Sequence, residues 1–301
     1  FQIRPCNDAF YPSKYNPWSE FLFAYGKDPG WDPLEWMIEV THERGIEYHA
    51  WMNPYRASLT MSTSIVQSTG SSVRNVYDYD NDALQKSKHE TFSDLKANCE
   101  KAYDGTDVDN PVFATGEELE HNVVMGTENK YVLNPASENT IEHLENTIRE
   151  VVENYDIDGI HFDDYFYANG IDDSETRAKY NTEGLSVSDF RRKQVDTFIY
   201  NLKLELDEFN NRNNRFVQLG ISPSGIYKNG GYQKAPTYDA NGNLTMPTYS
   251  NTSGFAHYDD YLYSDTLNWI NHEWIDYIMP QCYWAIEHSG ANFVELTKWW
   301  S

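Results

Sequence analysis

The stretch Asp158-Gly-Ile-His-Phe-Asp-Asp-Tyr165 ends in an imidazole, two adjacent carboxyl groups and a phenol. Carboxyl groups in a pair can cleave a glycosidic bond. One protonates the leaving oxygen; the other attacks the sugar at a separation of about 5 Å, or activates water at about 6.5–9.5 Å. Alternation along an extended chain puts His161, Asp163 and Tyr165 on one side and Phe162 and Asp164 on the other. Asp163 is the lead carboxylate. Asp164 faces away unless the strand has already ended, in which case it enters the same cleft. The bland alternative for Asp163 is a helix cap or an ion pair with an arginine such as Arg4. His49, His161 and Asp163 are also a known type of metal-ligand set. No His-x-His or His-x-x-x-His pair supports that reading, so neither a metal nor a cofactor is expected.

The elements that must position these groups read as alternating strands and helices. Glu138 to Asn154 carries Ile141, Leu144, Ile148, Val151 and Val152 at helical spacing, and the strand from Ile157 follows it. Phe1 to Pro5 reads as a strand. Asp32-Pro33 opens a helix, since Asp is a good N-cap and Pro suits the first turn; Gly45 ends it. The next strand runs from Gly45 to Pro54. Residues 57–130 lose periodicity and read as a polar insertion, with a helix over 82–101. Tyr131 to Pro135 is a short extended piece. Residues 168–184 read as an acidic loop, and 186–210 as a long helix with Ser186 and Asp189 resembling a capping box. A strand over Phe216–Gly225, a polar loop over 227–258, a helix near 261–273, a strand over Ile275–Trp284 and a helix from Phe293 complete the chain. Five strands alternate with helices, which argues for a parallel α/β architecture, whose chemistry sits where strands end. No Gly-rich phosphate fingerprint follows any strand.

Composition narrows the partners. The net charge of −24 argues against nucleic acid as a partner, because phosphate binding needs a basic surface. No apolar run reaches the roughly 18 residues of a membrane span. Cys6, Cys99 and Cys282 are too few and too scattered for a disulfide framework. The 23 Tyr and 9 Trp suit a packed core, or a carbohydrate cleft in which flat rings stack on sugars.

Seven blocks then bring a family into view. They are Phe1-Gln-Ile-Arg-Pro with Asp8-Ala-Phe-Tyr-Pro-Ser13 and Pro17-Trp18, Asp28-Pro-Gly-Trp-Asp-Pro33, His49-Ala-Trp-Met-Asn-Pro-Tyr-Arg56, Tyr131-Val-Leu-Asn-Pro135, Gly159-Ile-His-Phe-Asp-Asp-Tyr-Phe-Tyr167, Ser222-Pro-Ser-Gly-Ile226 and Ile275-Asp-Tyr-Ile-Met-Pro-Gln-Cys-Tyr-Trp284. In this order they resemble the bacterial glycosyl-hydrolase-like family ten. The resemblance implies a TIM (β/α)8 barrel, present here from about strand 2 to strand 6. It forms a single domain over 1–301, interrupted by the insertion near 57–130 and the loop near 227–258. It also implies secreted, periplasmic or lipid-anchored glycosidases, the best understood of which cut peptidoglycan glycan strands stripped of stem peptides. A polysaccharide is the expected partner, with no nucleic acid and no membrane-spanning segment.

The remaining site residues are expected at strand ends. The second carboxylate is one of Asp8, Asp164 and Glu287, or a residue on a barrel strand outside this sequence, or else a substrate acetamido group acts as nucleophile and Asp163 is the acid. Arg4 can orient a carboxylate or contact an acidic sugar. His49, Asn53 and His161 can bond sugar hydroxyls. Trp51, Tyr55, Tyr165, Tyr283 and Trp284 can stack on rings, although Trp51, within its strand, also suits the core, and Arg56, Ser222 and Gln281 complete the expected cleft. A catalytically silent carbohydrate-binding barrel and a metal-dependent polysaccharide deacetylase are the alternatives to a hydrolase.

Overall fold

A computed structural model describes residues 1–5, 7–16, 18–19, 21–22, 28–56, 123–125, 131–167, 171, 173–230, 237–238, 244–245, 250–259 and 262–301. The helix expected over 82–101 lies outside these residues. The elements run β1 (Gln2–Arg4), α1 (Pro33–His42), β2 (His49–Met52), β3 (Val123–Met125), β4 (Tyr131–Leu133), α2 (Glu138–Asn154), β5 (Gly159–Phe162), α3 (Ser174–Tyr180), α4 (Val187–Asn213), β6 (Gln218–Ile221), β7 (Thr237–Tyr238), β8 (Leu244–Thr245), α5 (Thr266–Asn271), β9 (Tyr277–Ile278) and α6 (Phe293–Trp300).

Five of the strands form one sheet in the order β1-β2-β5-β6-β9, and every pairing in it is parallel. This is an α/β fold consistent with a TIM-like architecture. Alternation divides the sheet cleanly. Ala50, Met52, Ile160, Phe162, Leu219 and Ile221 are buried on one face and belong to the main core with Leu144, Ile148, Val151, Phe198, Ile199 and Leu202 of α2 and α4. On the other face, register aligns Gln2, Trp51, His161, Gly220 and Tyr277 in one row across all five strands.

Local chemistry sets the element ends. The Asp32 carboxylate accepts from the amides of Leu34 (3.0 Å) and Glu35 (3.1 Å), which caps α1. Ser186 accepts from the Asp189 amide at 3.1 Å and donates to its carboxylate at 2.6 Å, so α4 begins on the expected pair. Two aspartates also pin the amino ends of the strands. Asp158 Oδ2 accepts from the Tyr48 amide at 2.7 Å and pairs with His42 at 2.8 Å. Asp276 Oδ2 accepts from the Leu219 amide at 2.8 Å while its Oδ1 accepts from Lys203 at 2.9 Å.

Three expectations need correction. The acidic stretch 168–184 contains α3, anchored because the buried Asp173 bonds Arg177 one turn on and Arg191 of α4. The helix expected from 261 starts at Thr266: Tyr263 takes a left-handed φ of 52°, and Asp265 caps the helix by accepting from Asn268 at 3.2 Å. The loop 227–258 carries the small antiparallel pair β7–β8. Among the described residues, no helix is long and apolar enough to cross a membrane.

Candidate active site at the carboxyl ends of the strands

β5 stops at Phe162, and Asp163 is the next residue. Its side chain is on the polar face of the sheet, because its Oδ2 accepts from the indole Nε1 of Trp51 at 3.2 Å and Trp51 pairs with His161 in the row described above. Oδ1 accepts from the Tyr165 amide at 3.0 Å. Asp163 is 4% exposed. Burial pushes its carboxyl up to about 7; the Tyr165 amide, the Arg56 charge and the Trp51 indole oppose the rise, and the neighbouring Asp164 charge adds to it. An aspartate with that value carries its proton over part of the neutral range, and can deliver it as a general acid.

With the strand ended, Asp164 does not turn to the helices. It hydrogen bonds the Gln281 side chain and feels Arg56, and burial raises its carboxyl as well. Gln281, beyond β9, donates through Nε2 to the Ser222 carbonyl at 2.6 Å. Ser222 in turn donates its hydroxyl to the Met279 carbonyl at 2.8 Å. Arg56 lies over the Tyr165 ring at 3.9 Å, and Tyr165 is half exposed. The ends of β2, β5, β6 and β9 thus bring Trp51, Arg56, Asp163, Asp164, Tyr165, Ser222 and Gln281 together.

Other expected residues stand elsewhere. Arg4, Asp8, Asn53 and Tyr55 are fully buried. Arg4 donates to the carbonyls of Asn53 (2.6 Å) and Pro54 (3.0 Å) and to the side chains of Asn16 (3.1 Å) and Asn7. Asn53 donates to the Pro5 carbonyl at 3.2 Å. These bonds lock the ends of β1 and β2 to each other. Their donors face the protein because main-chain carbonyls buried there need partners. Tyr283 is 82% exposed, Glu287 is exposed, and Trp284 packs against the small cluster of Ile226, Ala256, Ala291 and Leu296.

His49 is the first residue of β2, at the opposite end of the strands from Asp163. Its Nδ1 is 2.7 Å from the Tyr277 hydroxyl, and its Nε2 is 3.2 Å from Glu47. The same hydroxyl is 3.0 Å from His161 Nδ1. Tyr277 had no role in the sequence reading, where it counted as strand interior. One glycine makes room for each ring: a Cβ on Gly220 would lie 1.8 Å from the Tyr277 ring, and one on Gly159 would lie 2.5 Å from His49. A cavity of about 490 Å³ opens on this face, lined by His49, Trp51, His161, Tyr277 and Met279 among others. Trp51 therefore joins the cavity to Asp163. Among the described residues, no three His, Cys, Asp or Glu side chains converge as metal ligands, so the set His49, His161 and Asp163 does not assemble.

The family profile described as glycosyl hydrolase-like 10 matches residues 1–301. The chain belongs to this glycosyl hydrolase-like family. It is 35% identical over 308 aligned residues to the glycosyl hydrolase YngK of Bacillus subtilis, covering all of this chain and 48% of that protein. It is 29% identical over 306 aligned residues to the glycosyl hydrolase DigH of Escherichia coli K12, covering all of this chain and 57% of that protein. The chain thus spans about half the length of the curated relatives it matches. Family membership supports a glycoside hydrolase-like role.

Proposed function

We propose that the protein is a glycoside hydrolase that cuts peptidoglycan glycan strands at the cell surface, in the periplasm or outside the cell, with Asp163 as general acid. The single observation that carries this is Asp163 itself, a carboxyl group buried at the end of a parallel strand and held between an indole and a main-chain amide. The five parallel strands belong, in this reading, to a (β/α)8 barrel whose mouth is the polar cluster at the ends of β2, β5, β6 and β9. Asp163 would protonate the glycosidic oxygen, and its own raised value would make the proton available near neutrality. Trp51 and Tyr165 supply donors to the carboxylate left behind, and Arg56 supplies a positive charge.

Asp164 is the carboxylate whose charge acts on Asp163, and it stands beside it rather than across the cleft. That placement favours substrate assistance, in which an acetamido oxygen attacks the sugar and the protein provides only the acid. Glu287 remains a candidate for the second acid on its exposed loop. The adjacency of the two aspartates also gives some support to a silent glycan-binding barrel.

The deciding experiment compares the full-length protein with its Asp163→Asn variant on stem-peptide-free peptidoglycan. Release of glycan fragments by the first and not by the folded second supports the reading. Equal release by both removes Asp163 from the chemistry. Binding without release in either points to the silent barrel.

A further inference from the structure

We infer that Glu47, His49 and Tyr277 form a relay that fixes the tautomer of His161, so that its Nε2 lone pair faces the cavity below Asp163 as an acceptor for a sugar hydroxyl. This deepens the glycosidase reading and rests on it for the identity of the ligand.

The inference follows from counting protons. The Tyr277 hydroxyl has one proton and two imidazole neighbours, His49 Nδ1 at 2.7 Å and His161 Nδ1 at 3.0 Å. It can donate to only one of them and must accept from the other. The choice is made at the far end of the chain. His49 Nε2 lies 3.2 Å from a Glu47 carboxylate oxygen, which only accepts. Neutral His49 therefore carries its proton on Nε2, and its Nδ1 is bare. Tyr277 must donate to that bare nitrogen. The hydroxyl oxygen then accepts from His161, whose proton is consequently on Nδ1, and His161 Nε2 is left as a lone pair. The reverse order would set the bare His49 Nε2 against a carboxylate.

Packing holds the chain in place. The Tyr277 ring stacks on His161 at 5.8 Å with an angle of 15°, and meets His49 edge-on at 5.2 Å. It occupies the space that Gly220 leaves open. His161 is one strand position pair before Asp163 on the same face, beside Trp51, and its ring lines the cavity. Its Nε2 has no protein partner among the described residues. Burial brings the His161 imidazole down to about 4, so it stays neutral and able to accept throughout the neutral range.

The test is long-range proton–nitrogen correlation on full-length protein with labelled histidine, using His161→Gln to assign the signals. His161 in the Nδ1–H form supports the relay; an Nε2–H form in the unmodified protein overturns it, and this needs no further variant. Tyr277→Phe should return His161 to the Nε2–H form; an unchanged tautomer overturns the relay. Glycan strands free of stem peptides are then added to the Asp163→Asn protein. A move of the His161 Nε2 signal with Nδ1 held supports the acceptor role, and a static Nε2 at saturation overturns it. In Tyr277→Phe, KM for these strands should rise about 3- to 10-fold with kcat little changed, as expected for loss of one uniform hydrogen bond. The tautomer is read without turnover, so the glycosidase reading can fail while the relay stands, and the reverse.

Discussion

Asp163 and Asp173 are both buried, at 4% and 3% exposure, and they have been driven in opposite directions. Asp173 joins α3 to α4. Burial would raise it, but hydrogen bonds from Arg191 at 2.8 and 2.7 Å and from Arg177 at 3.0 Å, with the charges behind them, outweigh that and hold it below the usual carboxylate range. Asp163 has an indole, an amide and a more distant arginine, and burial wins. A buried carboxylate with a fitted guanidinium is a fastener; one with only neutral donors keeps a proton that it can give away. Asp196 of α4 warns against using the raised value alone. It too is pushed up to about 7 by burial and accepts an indole N–H, from Trp269 at 2.6 Å. It lines a cavity of about 510 Å³ on the helical layer, with Tyr200 and Trp274, and not the strand ends. Position and partner together make Asp163 the candidate.

The largest effect should separate the two roles directly. Asp163→Asn should lower kcat/KM on glycan strands by about 10²–10⁴, as loss of a general acid does, with the circular dichroism spectrum retained. Arg191→Met should instead cost about 3–5 kcal/mol of stability in urea denaturation, because it leaves Asp173 buried beside Arg177 alone. Equal stability of that variant and the parent would end the fastener description.

The pH slopes should also oppose each other. The folded value of Asp163 is above the unfolded value of about 4, so its stabilising contribution is complete below pH 4 and lost as pH rises to about 7. Asp163→Asn should therefore gain stability over the parent on going from pH 4 to pH 8, by up to about 4 kcal/mol. Asp173 has the reverse sign, its contribution being lost as pH falls. The smallest effects should appear on the alkaline limb of the pH–rate profile, which falls through about 7 as Asp163 loses its proton. Trp51→Phe removes a donor to the carboxylate and should move that limb up by less than about one pH unit. Asp164→Asn removes a like charge and should move it down. Shifts of the same sign in both would contradict the assignment of the limb to Asp163.

The fold was largely legible because its signals are local. Helical spacing in 138–154 coincides with α2, and Asp32-Pro33 and Ser186 mark the starts of α1 and α4. α3 was missed because its anchor, Asp173 with Arg191, is a tertiary contact between a polar loop and a helix 18 residues away. In the site, Asp163 could be found from alternation, since strand geometry fixes its side. Arg4 and Asn53 bond buried carbonyls, and a charged or amide side chain at a strand end has the same sequence signature whether it faces a cleft or such a carbonyl. Tyr277 was invisible for another reason: its place depends on the absence of a side chain at Gly220, on the strand that pairs with its own. One signal was available, glycine inside a strand, which often marks a close approach.

The aspartates beneath the sheet have a consequence far from where they stand. Asp158 takes its neighbour's amide at the start of β5, roughly 16 Å of extended chain before Asp163. A slip of β5 by one residue would reverse its sides, carrying Phe162 into the cavity and Asp163 into the apolar core. Strands of four residues have few ladder bonds with which to resist that slip. Asp158 therefore works like the stop on a ruler, setting the zero from which the acid's position is measured. Damage there would register as misplaced chemistry in a protein that is still folded.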